Sequence, residues 1–136
     1  MELIKLFTDG AARGNPGPAG IGVAIIGHTG SVVVECSEYI GETTNNIAEY
    51  RAFIRGLQEA TALSPAEVHA FCDSQLLVRQ VKGEYKVRHE NLIPLYQEAL
   101  ALIRQLPRFQ ITYIPRSENK YADALANQGI DSHQCQ

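Results

Sequence analysis

The apolar positions follow two different periods along the chain, and this pattern predicts five strands and four helices. Alternating or short apolar runs predict strands at Leu3–Asp9, Ile21–Ile26, Ser31–Tyr39, Val68–Asp73 and Phe109–Ile114. Helical spacing and capping residues predict helices from Asn45 or Asn46 to about Leu63, and at Ser74–Val81, Asn91–Leu106 and Glu118–Gln128. An initial meander followed by alternating strands and helices implies an α/β fold, with a mixed sheet flanked by helices.

Length and composition favour one cytoplasmic domain. The 136 residues, 45% hydrophobic and 20% charged, are typical of a single globular domain. We place this domain at residues 1–129, before a polar C-terminal tail at residues 130–136. We expect no membrane contact, because no apolar run is long enough to cross a bilayer and no signal peptide is evident. Cys36, Cys72 and Cys135 lie far apart without metal-ligand spacing, so we expect thiols in a reducing compartment.

The net charge of −3 argues against binding to nucleic acid through bulk positive charge. It does not exclude a nuclease, because bound metal ions reverse the local charge of an acidic site. The positions of individual acidic residues are therefore more informative than their number.

Glu49 lies on the predicted core face of the first helix. At about 100° per residue, Arg51 and Arg55 fall on the solvent side, whereas Glu49 falls with Phe53 and Leu57 on the opposite side. An ionised carboxylate on a buried stripe is costly unless it is paired or binds a metal. The pattern leaves open a second interpretation, in which the helix dipole favours an acidic residue near the N-terminus.

Two aspartates end predicted strands. Asp9 and Asp73 each lie two residues after a phenylalanine, Phe7 and Phe71, and so share its face of the sheet. If the strands are parallel neighbours, the two carboxylates lie about 5 Å apart, where open α/β sheets bind ligands. The alternative to a ligand site is that Asp9 begins a turn and Asp73 caps a helix. For either residue considered alone, this alternative is the favoured interpretation.

Asp123 lies on the polar side of the last predicted helix, where an exposed charge is the simplest interpretation. If it joins the other three carboxylates, the group cannot ionise fully without cations. Oxygen ligands without clustered Cys or His suit Mg²⁺ or Mn²⁺ rather than Zn²⁺. Such a site supports phosphoryl transfer with two metal ions about 3.5–4 Å apart.

Four blocks of sequence, in order and from residue 8 to about 127, resemble type 1 ribonuclease H. They are Thr8-Asp9-Gly10-Ala11 with Gly14-Asn15-Pro16-Gly17-Pro18-Ala19-Gly20, Thr43-Thr44-Asn45-Asn46-Ile47-Ala48-Glu49, Asp73-Ser74-Gln75, and Glu118-Asn119 with Asp123-Ala124-Leu125-Ala126. The resemblance implies a ribonuclease H-like fold, whose five-stranded mixed sheet has the order 3-2-1-4-5 with strands 1–3 antiparallel. It also implies that the catalytic, metal-binding carboxylates are Asp9, Glu49, Asp73 and Asp123.

The resemblance further implies the substrate and its contacts. The family hydrolyses the RNA strand of RNA–DNA hybrids with two Mg²⁺ ions per site, leaving 5′-phosphate and 3′-hydroxyl ends. Asn15, Asn45 and Gln75 match positions that contact the hybrid, including the 2′-hydroxyls that distinguish RNA from DNA. Thr44 matches a position that helps to hold a phosphate of the DNA strand. Helix capping is the alternative role for the asparagines, and the two roles are compatible.

Two departures from the family pattern concern substrate contacts. Many members carry a basic handle rich in Lys and Trp after the Asp-Ser-Gln helix, whereas this chain has a short connection there and no Trp. Arg88 and its basic neighbours are candidates for a reduced basic patch, with an ordinary solvated connection as the alternative. Many relatives also carry a loop His before the last helix. Here Arg116 and Glu118 are candidates to replace it, with capping or solvent exposure as alternatives.

We therefore expect a monomeric endonuclease that acts on RNA–DNA hybrids. A nuclease that favours double-stranded RNA or embedded ribonucleotides is one alternative. A catalytically silent hybrid-binding module is another, and the intact carboxylate set disfavours it because clustered negative charge repels a polyanion.

Overall fold

A computed structural model describes residues 2–134, which form a five-stranded sheet with helices packed on both faces. The strands are β1 (Leu3–Ala12), β2 (Gly17–Ile26), β3 (Val32–Thr43), β4 (Glu67–Cys72) and β5 (Phe109–Tyr113). The helices are α1 (Asn45–Ala62), α2 (Gln75–Val81), α3 (Ile93–Ile103) and α4 (Lys120–Gln134). A single 3₁₀ turn (Arg116–Glu118) precedes α4.

The strand order is β3-β2-β1-β4-β5, which confirms the predicted mixed sheet. The pairs β1–β2 and β2–β3 are antiparallel, as expected for an initial meander. The pairs β1–β4 and β4–β5 are parallel, because each connection between those strands crosses over through a helix. The parallel pairing of β1 with β4 ends at Phe7 and Phe71, so the C-terminal end of β4 lies beside the middle of β1.

The main core lies between the sheet and α1. Tyr50, Phe53 and Leu57 on α1 are fully buried against β1, where Ile4 and Leu6 are also fully buried. This confirms the amphipathic pattern predicted for the first helix. Helix α3 is shorter than predicted, but its apolar face packs on the same core.

Helix α4 packs on the opposite face of the sheet, above β2. Side chains alternate along a strand, so Val23 and Ile25 point into the main core while Gly22 points towards α4. A Cβ atom at Gly22 would lie 2.1 Å from the carbonyl oxygen of Ala122 in α4. A side chain larger than hydrogen at this position would therefore push the helix away from the sheet.

Two predicted boundaries are wrong. Residues 10–20, which lie between the first two predicted strands, are mostly strand, because Gly10–Ala12 and Ala19–Ile21 pair with each other and extend β1 and β2. The last helix does not end at Gln128 but continues through Gln134, since Ile130 is fully buried against the sheet. Residues 130–134 are thus helical rather than a separate tail.

Cys36 and Cys72 are free cysteines, as predicted, and Cys135 lies outside the described residues. Within residues 2–134, no helix combines the length and the apolar character that a bilayer crossing requires.

Candidate active site

The parallel pairing of β1 with β4 brings Asp9 and Asp73 together. Phe7 lies opposite Phe71 in register, and their rings stack with centroids 4.9 Å apart. The two aspartates lie two residues further along, so both carboxylates reach the same end of the strand pair. Asp73 directly follows β4, one residue beyond the strand that we predict to end with it, whereas Asp9 lies inside β1 because that strand continues to pair with β2.

Glu49 reaches the same place from α1. It is 5% exposed, which confirms its predicted position on the core face of the helix. The backbone N–H of Gly10 donates a hydrogen bond of 2.9 Å to Oε1 of Glu49. A Cβ atom at Gly10 would lie 2.2 Å from the carbonyl carbon of Ala48, so this close approach of β1 to α1 requires glycine.

These three carboxylates form a compact group. One oxygen from each of Asp9, Glu49 and Asp73 lies within 4.8 Å of the other two. Burial is the largest cause that raises the pKa of Asp9 above its ordinary value, followed by the charges of Glu49 and Asp73. Burial also raises the pKa of Glu49, and the hydrogen bond from Gly10 offsets part of that effect. Asp9 and Glu49 therefore resist ionisation unless a cation compensates their charge.

Asp123 lies apart from this group but on the same cleft. It stands in the first turn of α4, and its side chain is 28% exposed. Its Oδ1 accepts a hydrogen bond of 3.3 Å from Nδ2 of Asn127 and lies 3.6 Å from Nη2 of Arg116. Asp123 also contributes to the raised pKa of Asp9, so the two groups are near neighbours. The structure thus brings three of the four predicted carboxylates into one group and places the fourth on the wall beside them.

The cleft has a volume of about 490 Å³ and is open to solvent above the carboxylates. Two of the six predicted substrate residues, Asn45 and Arg116, line it. Oδ1 of Asn15 accepts a hydrogen bond of 3.1 Å from the backbone N–H of Asn45, which ties the β1–β2 loop to the start of α1. The loop and the helix N-terminus therefore form one side of the cleft together.

The other four predicted substrate residues do not line the cleft; besides Asn15 they are Thr44, Gln75 and Arg88. Thr44 is the N-cap of α1, where we had predicted Asn45 or Asn46, and its Oγ1 accepts a hydrogen bond of 3.3 Å from the N–H of Ile47. Gln75 is exposed at the first residue of α2. Arg88 is exposed in the connection between α2 and α3. Their predicted contacts with substrate stay predictions.

The connection between α2 and α3 runs over residues 82–92 and is mostly exposed. The guanidinium of Arg79 lies over the ring of Tyr85, 5.3 Å from its centroid, and pairs with Glu84 at 3.5 Å. Part of the positive charge predicted for this region is therefore already paired. Lys86 and Arg88 stay exposed.

Two further residues contribute to the site, and the sequence pattern predicts no role for either. Asn119 is buried and bonds to Asp73, although its position in the Glu118-Asn119 block carries no sign of burial. Arg13 lines the cleft, donates to Oδ1 of Asn127 at 3.1 Å, and pairs with Asp131 at 2.6 Å. A one-dimensional pattern cannot reveal these contacts, because they join residues more than 40 positions apart.

The donor set fits a divalent cation that prefers oxygen. The compact group contains only carboxylates, which suit Mg²⁺ or Mn²⁺ and are poor ligands for softer metals. Its oxygens are close enough to share an ion after small side-chain rotations. The raised pKa values of Asp9 and Glu49 are the expected sign of a cation site without its counter-charge.

The chain matches the family model described as "Reverse transcriptase-like" over residues 7–129. It is 44% identical to a ribonuclease H of Erythrobacter litoralis, over 96% of this chain and 98% of that protein. It is also 44% identical to the bifunctional protein Rv2228c of Mycobacterium tuberculosis, over 95% of this chain. The chain spans 36% of the length of that mycobacterial protein.

Among solved structures, the fold is similar to that of LC11-RNase H1, isolated from compost, in complex with an RNA/DNA hybrid. The TM-score is 0.91 at 43% identity, and the match covers 96% of this chain and 99% of that one. The likeness in fold therefore extends over nearly the whole chain and includes all the elements that form the cleft.

Proposed function

The chain belongs to the ribonuclease H family, and we propose that it hydrolyses the RNA strand of RNA–DNA hybrids. The products are a 5′-phosphate and a 3′-hydroxyl. The observation that carries this proposal is the compact carboxylate group, which three separate elements bring together at the base of an open cleft. The solved complex of LC11-RNase H1 with an RNA/DNA hybrid supports the choice of substrate.

Asp9, Glu49 and Asp73 would hold Mg²⁺, and Asp123 would complete the set from the wall of the cleft. When bound, two such ions activate a water molecule for attack on the phosphate and stabilise the leaving oxygen. Mn²⁺ has the same ligand preference and would substitute. The four carboxylates are thus both the catalytic residues and the metal ligands in this proposal.

The backbone of the chain positions Glu49 before substrate arrives. The backbone N–H of Gly10 binds one oxygen of Glu49. This main-chain contact orients the carboxylate, and so it also sets the direction of the other oxygen. Preorganised groups cost little reorganisation during the reaction, which is a major source of catalytic power. Removing a ligand from this group should therefore affect the rate much more than the fold.

The predicted substrate residues extend outward from the carboxylates. Asn45 and Arg116 lie on the cleft wall, and Asn15 is tied to Asn45, so these three contact the strand nearest the site. Thr44 and Gln75 follow on the neighbouring helix starts, and both contact the duplex there. Arg88 is the most distant of the predicted contacts, and it binds a phosphate through its exposed guanidinium.

We extend the proposal to the setting in which the chain acts. The catalytic domain comprises the predicted residues 1–129 and the rest of α4 through Gln134, and it works as a monomer. The free thiols of Cys36 and Cys72 are compatible with a reducing compartment, and we propose the cytoplasm.

A cleavage panel tests the proposal. The protein is incubated with end-labelled RNA–DNA hybrid, duplex RNA, duplex DNA, and duplex DNA with one embedded ribonucleotide, in Mg²⁺, Mn²⁺ or EDTA. We expect metal-dependent cleavage of the RNA strand in the hybrid, with products that a 5′-phosphate-dependent exonuclease degrades.

Each other result assigns the chain differently. Equal or faster cleavage of duplex RNA, or of the embedded ribonucleotide, would replace the proposed substrate. Binding of hybrid without cleavage in either metal would make the chain a silent binding module.

A further inference from the structure

Asn119 stands between the 3₁₀ turn and α4, and its side chain is buried. It is 1% exposed and does not line the cleft, so it cannot touch a substrate. Yet its amide lies against the carboxylate group. A role in the site must therefore pass through another residue.

The Nδ2 amide of Asn119 donates two hydrogen bonds. One, of 3.0 Å, goes to the backbone carbonyl of Thr8, and the other, also 3.0 Å, goes to Oδ2 of Asp73. An amide nitrogen carries two hydrogens, so both bonds form at once. Because Thr8 directly precedes Asp9, these two hydrogen bonds connect the carboxylate of Asp73 to the backbone beside Asp9.

The orientation of the Asn119 amide is determined by its partners. If the amide were rotated by 180°, its oxygen would face two acceptors, the Thr8 carbonyl and the Asp73 carboxylate, and both bonds would be lost. In the observed orientation the buried Oδ1 has no hydrogen-bond partner. An unsatisfied buried oxygen is costly. If this position served packing alone, an apolar residue such as leucine would fill it without that cost. The polar contact with Asp73 is the feature that this arrangement preserves.

We propose that Asn119 is a positioning residue that orients Asp73 for metal binding. It occupies Oδ2 and so leaves Oδ1 of Asp73 directed to the cation. It does this without a positive charge, whereas a Lys or Arg at the same place would compete with the cation for the carboxylate. This inference rests on the proposed function for its catalytic consequence, but its effect on metal binding is independent of any cleavage.

The test compares Asn119→Leu with the wild-type chain and with Gln80→Leu. Leucine has the branched side-chain skeleton of asparagine, with a somewhat larger volume, and removes both donated bonds. Gln80 is a matched control, because it is also a buried amide, 4% exposed, and its Oε1 accepts a hydrogen bond of 2.6 Å from Tyr50 rather than from the site. Mn²⁺ affinity is measured by calorimetry on the free protein, and cleavage of hybrid is measured as kcat, KM and the Mg²⁺ concentration for half-maximal rate.

We expect Asn119→Leu to bind Mn²⁺ about tenfold to a hundredfold more weakly, as is typical when an outer partner of a metal ligand is removed. The kcat should fall with little change in KM for hybrid, and saturating Mn²⁺ should restore part of it. Gln80→Leu should lower the melting temperature and leave the Mn²⁺ affinity within twofold of wild type.

A different pattern would overturn the inference. If Asn119→Leu binds Mn²⁺ as tightly as wild type, Asn119 does not position Asp73, whatever the change in stability. If Asn119→Leu fails to fold, as judged by circular dichroism, Asn119→Ala takes its place with the same expected loss and the same criterion. If the wild-type chain cleaves no hybrid but Asn119→Leu still loses Mn²⁺ affinity, the proposed function fails and the positioning role stands.

Discussion

The carboxylate group and the α2–α3 connection are built in opposite ways. Asp9 and Glu49 are buried, a main-chain N–H holds Glu49, and the members of the group come from distant parts of the chain. The connection at residues 82–92 is a single exposed segment whose charges are free or paired at the surface. Surface charges are screened by salt, whereas charges in a buried group interact strongly. The chemistry is therefore fixed by the fold, while any grip on the substrate from the connection depends on the solution conditions.

The largest loss of activity should come from replacing one carboxylate oxygen of Asp73 by an amide nitrogen. Asp73→Asn keeps the shape and the hydrogen bond from Asn119 but removes a charged metal ligand. We expect cleavage of hybrid to fall by about a thousandfold or more, because transition-state charge loses its compensation. The metal-free fold should be equally stable or more stable, since a like charge is removed.

Initial rates and a thermal melt in EDTA measure both effects of Asp73→Asn. Glu90→Gln, which removes one exposed charge in the connection, is the control and should change neither. Turnover at a wild-type rate in Asp73→Asn would place the chemistry elsewhere.

A steric change beneath the group should reduce both stability and activity. Gly10→Ala places a methyl group 2.2 Å from the α1 backbone, so β1 and α1 must separate and the hydrogen bond to Glu49 must lengthen. We expect a loss of about 3 kcal/mol in the free energy of unfolding, measured with urea.

Gly30→Ala is the matched control for Gly10→Ala. Its φ is +89° but nothing lies within 4 Å, so it should cost only about 1 kcal/mol and leave cleavage unchanged. Equal losses in the two variants would argue against the close approach of β1 to α1.

The raised pKa of Asp9 should make the stability of the metal-free protein depend on pH. The folded state binds this proton more tightly than the unfolded chain does, where an aspartate has a pKa of about 3.9. Stability is therefore lost as pH rises from about 4 towards the raised folded value. Asp9→Asn mimics the protonated form, so its advantage over wild type should grow with pH.

Melting temperatures in EDTA at pH 5, 7 and 8.5 test this dependence. Excess Mg²⁺ should reduce the difference, because the cation compensates the charge that the proton otherwise removes. A difference that stays constant across the series would show that Asp9 ionises as easily in the folded state as in the unfolded chain.

The smallest effect should come from the connection. Replacing Lys86 and Arg88 by alanine removes two exposed positive charges. If both contact phosphates, the slope of log affinity for hybrid against log salt should become shallower by about 1–2.

Arg104→Ala with Arg108→Ala removes the same charge from exposed positions after α3 and serves as the control. If the two double variants show identical slopes of log affinity against log salt, Lys86 and Arg88 do not contact phosphates and the connection is an ordinary solvated segment.

Sequence periodicity predicted the elements better than their ends. The apolar stripe of α1 was sufficient to place Glu49 on the buried face, because a helix repeats the same geometry at each turn. The loop around Asn15 looked longer than it is, because Gly10–Ala12 become strand only by pairing with β2. Pairing depends on a partner segment, and the local sequence does not show that partner.

The site residues likewise fall into those that the sequence pattern could place and those that only the folded packing places. Asp9 and Asp73 could be paired from their matching positions after Phe7 and Phe71, once the strands were taken as neighbours. Asp123 could not, because the helical pattern places it on a polar face and only the packing of α4 turns that face towards the cleft. Asn119 was beyond reach, since its burial depends on Thr8, 111 positions away.

The contact between Gly22 and Ala122 has a consequence for how far the chain can change. The depth at which α4 sits on the sheet is set by main chain against main chain, with no side chain between them. Asp123 follows Ala122 directly, so the width of the cleft is a property of the backbone rather than of core side chains. Exchanges elsewhere in the core that preserve this glycine should leave that width unaltered, and a library of such variants should vary in stability while retaining the same metal requirement.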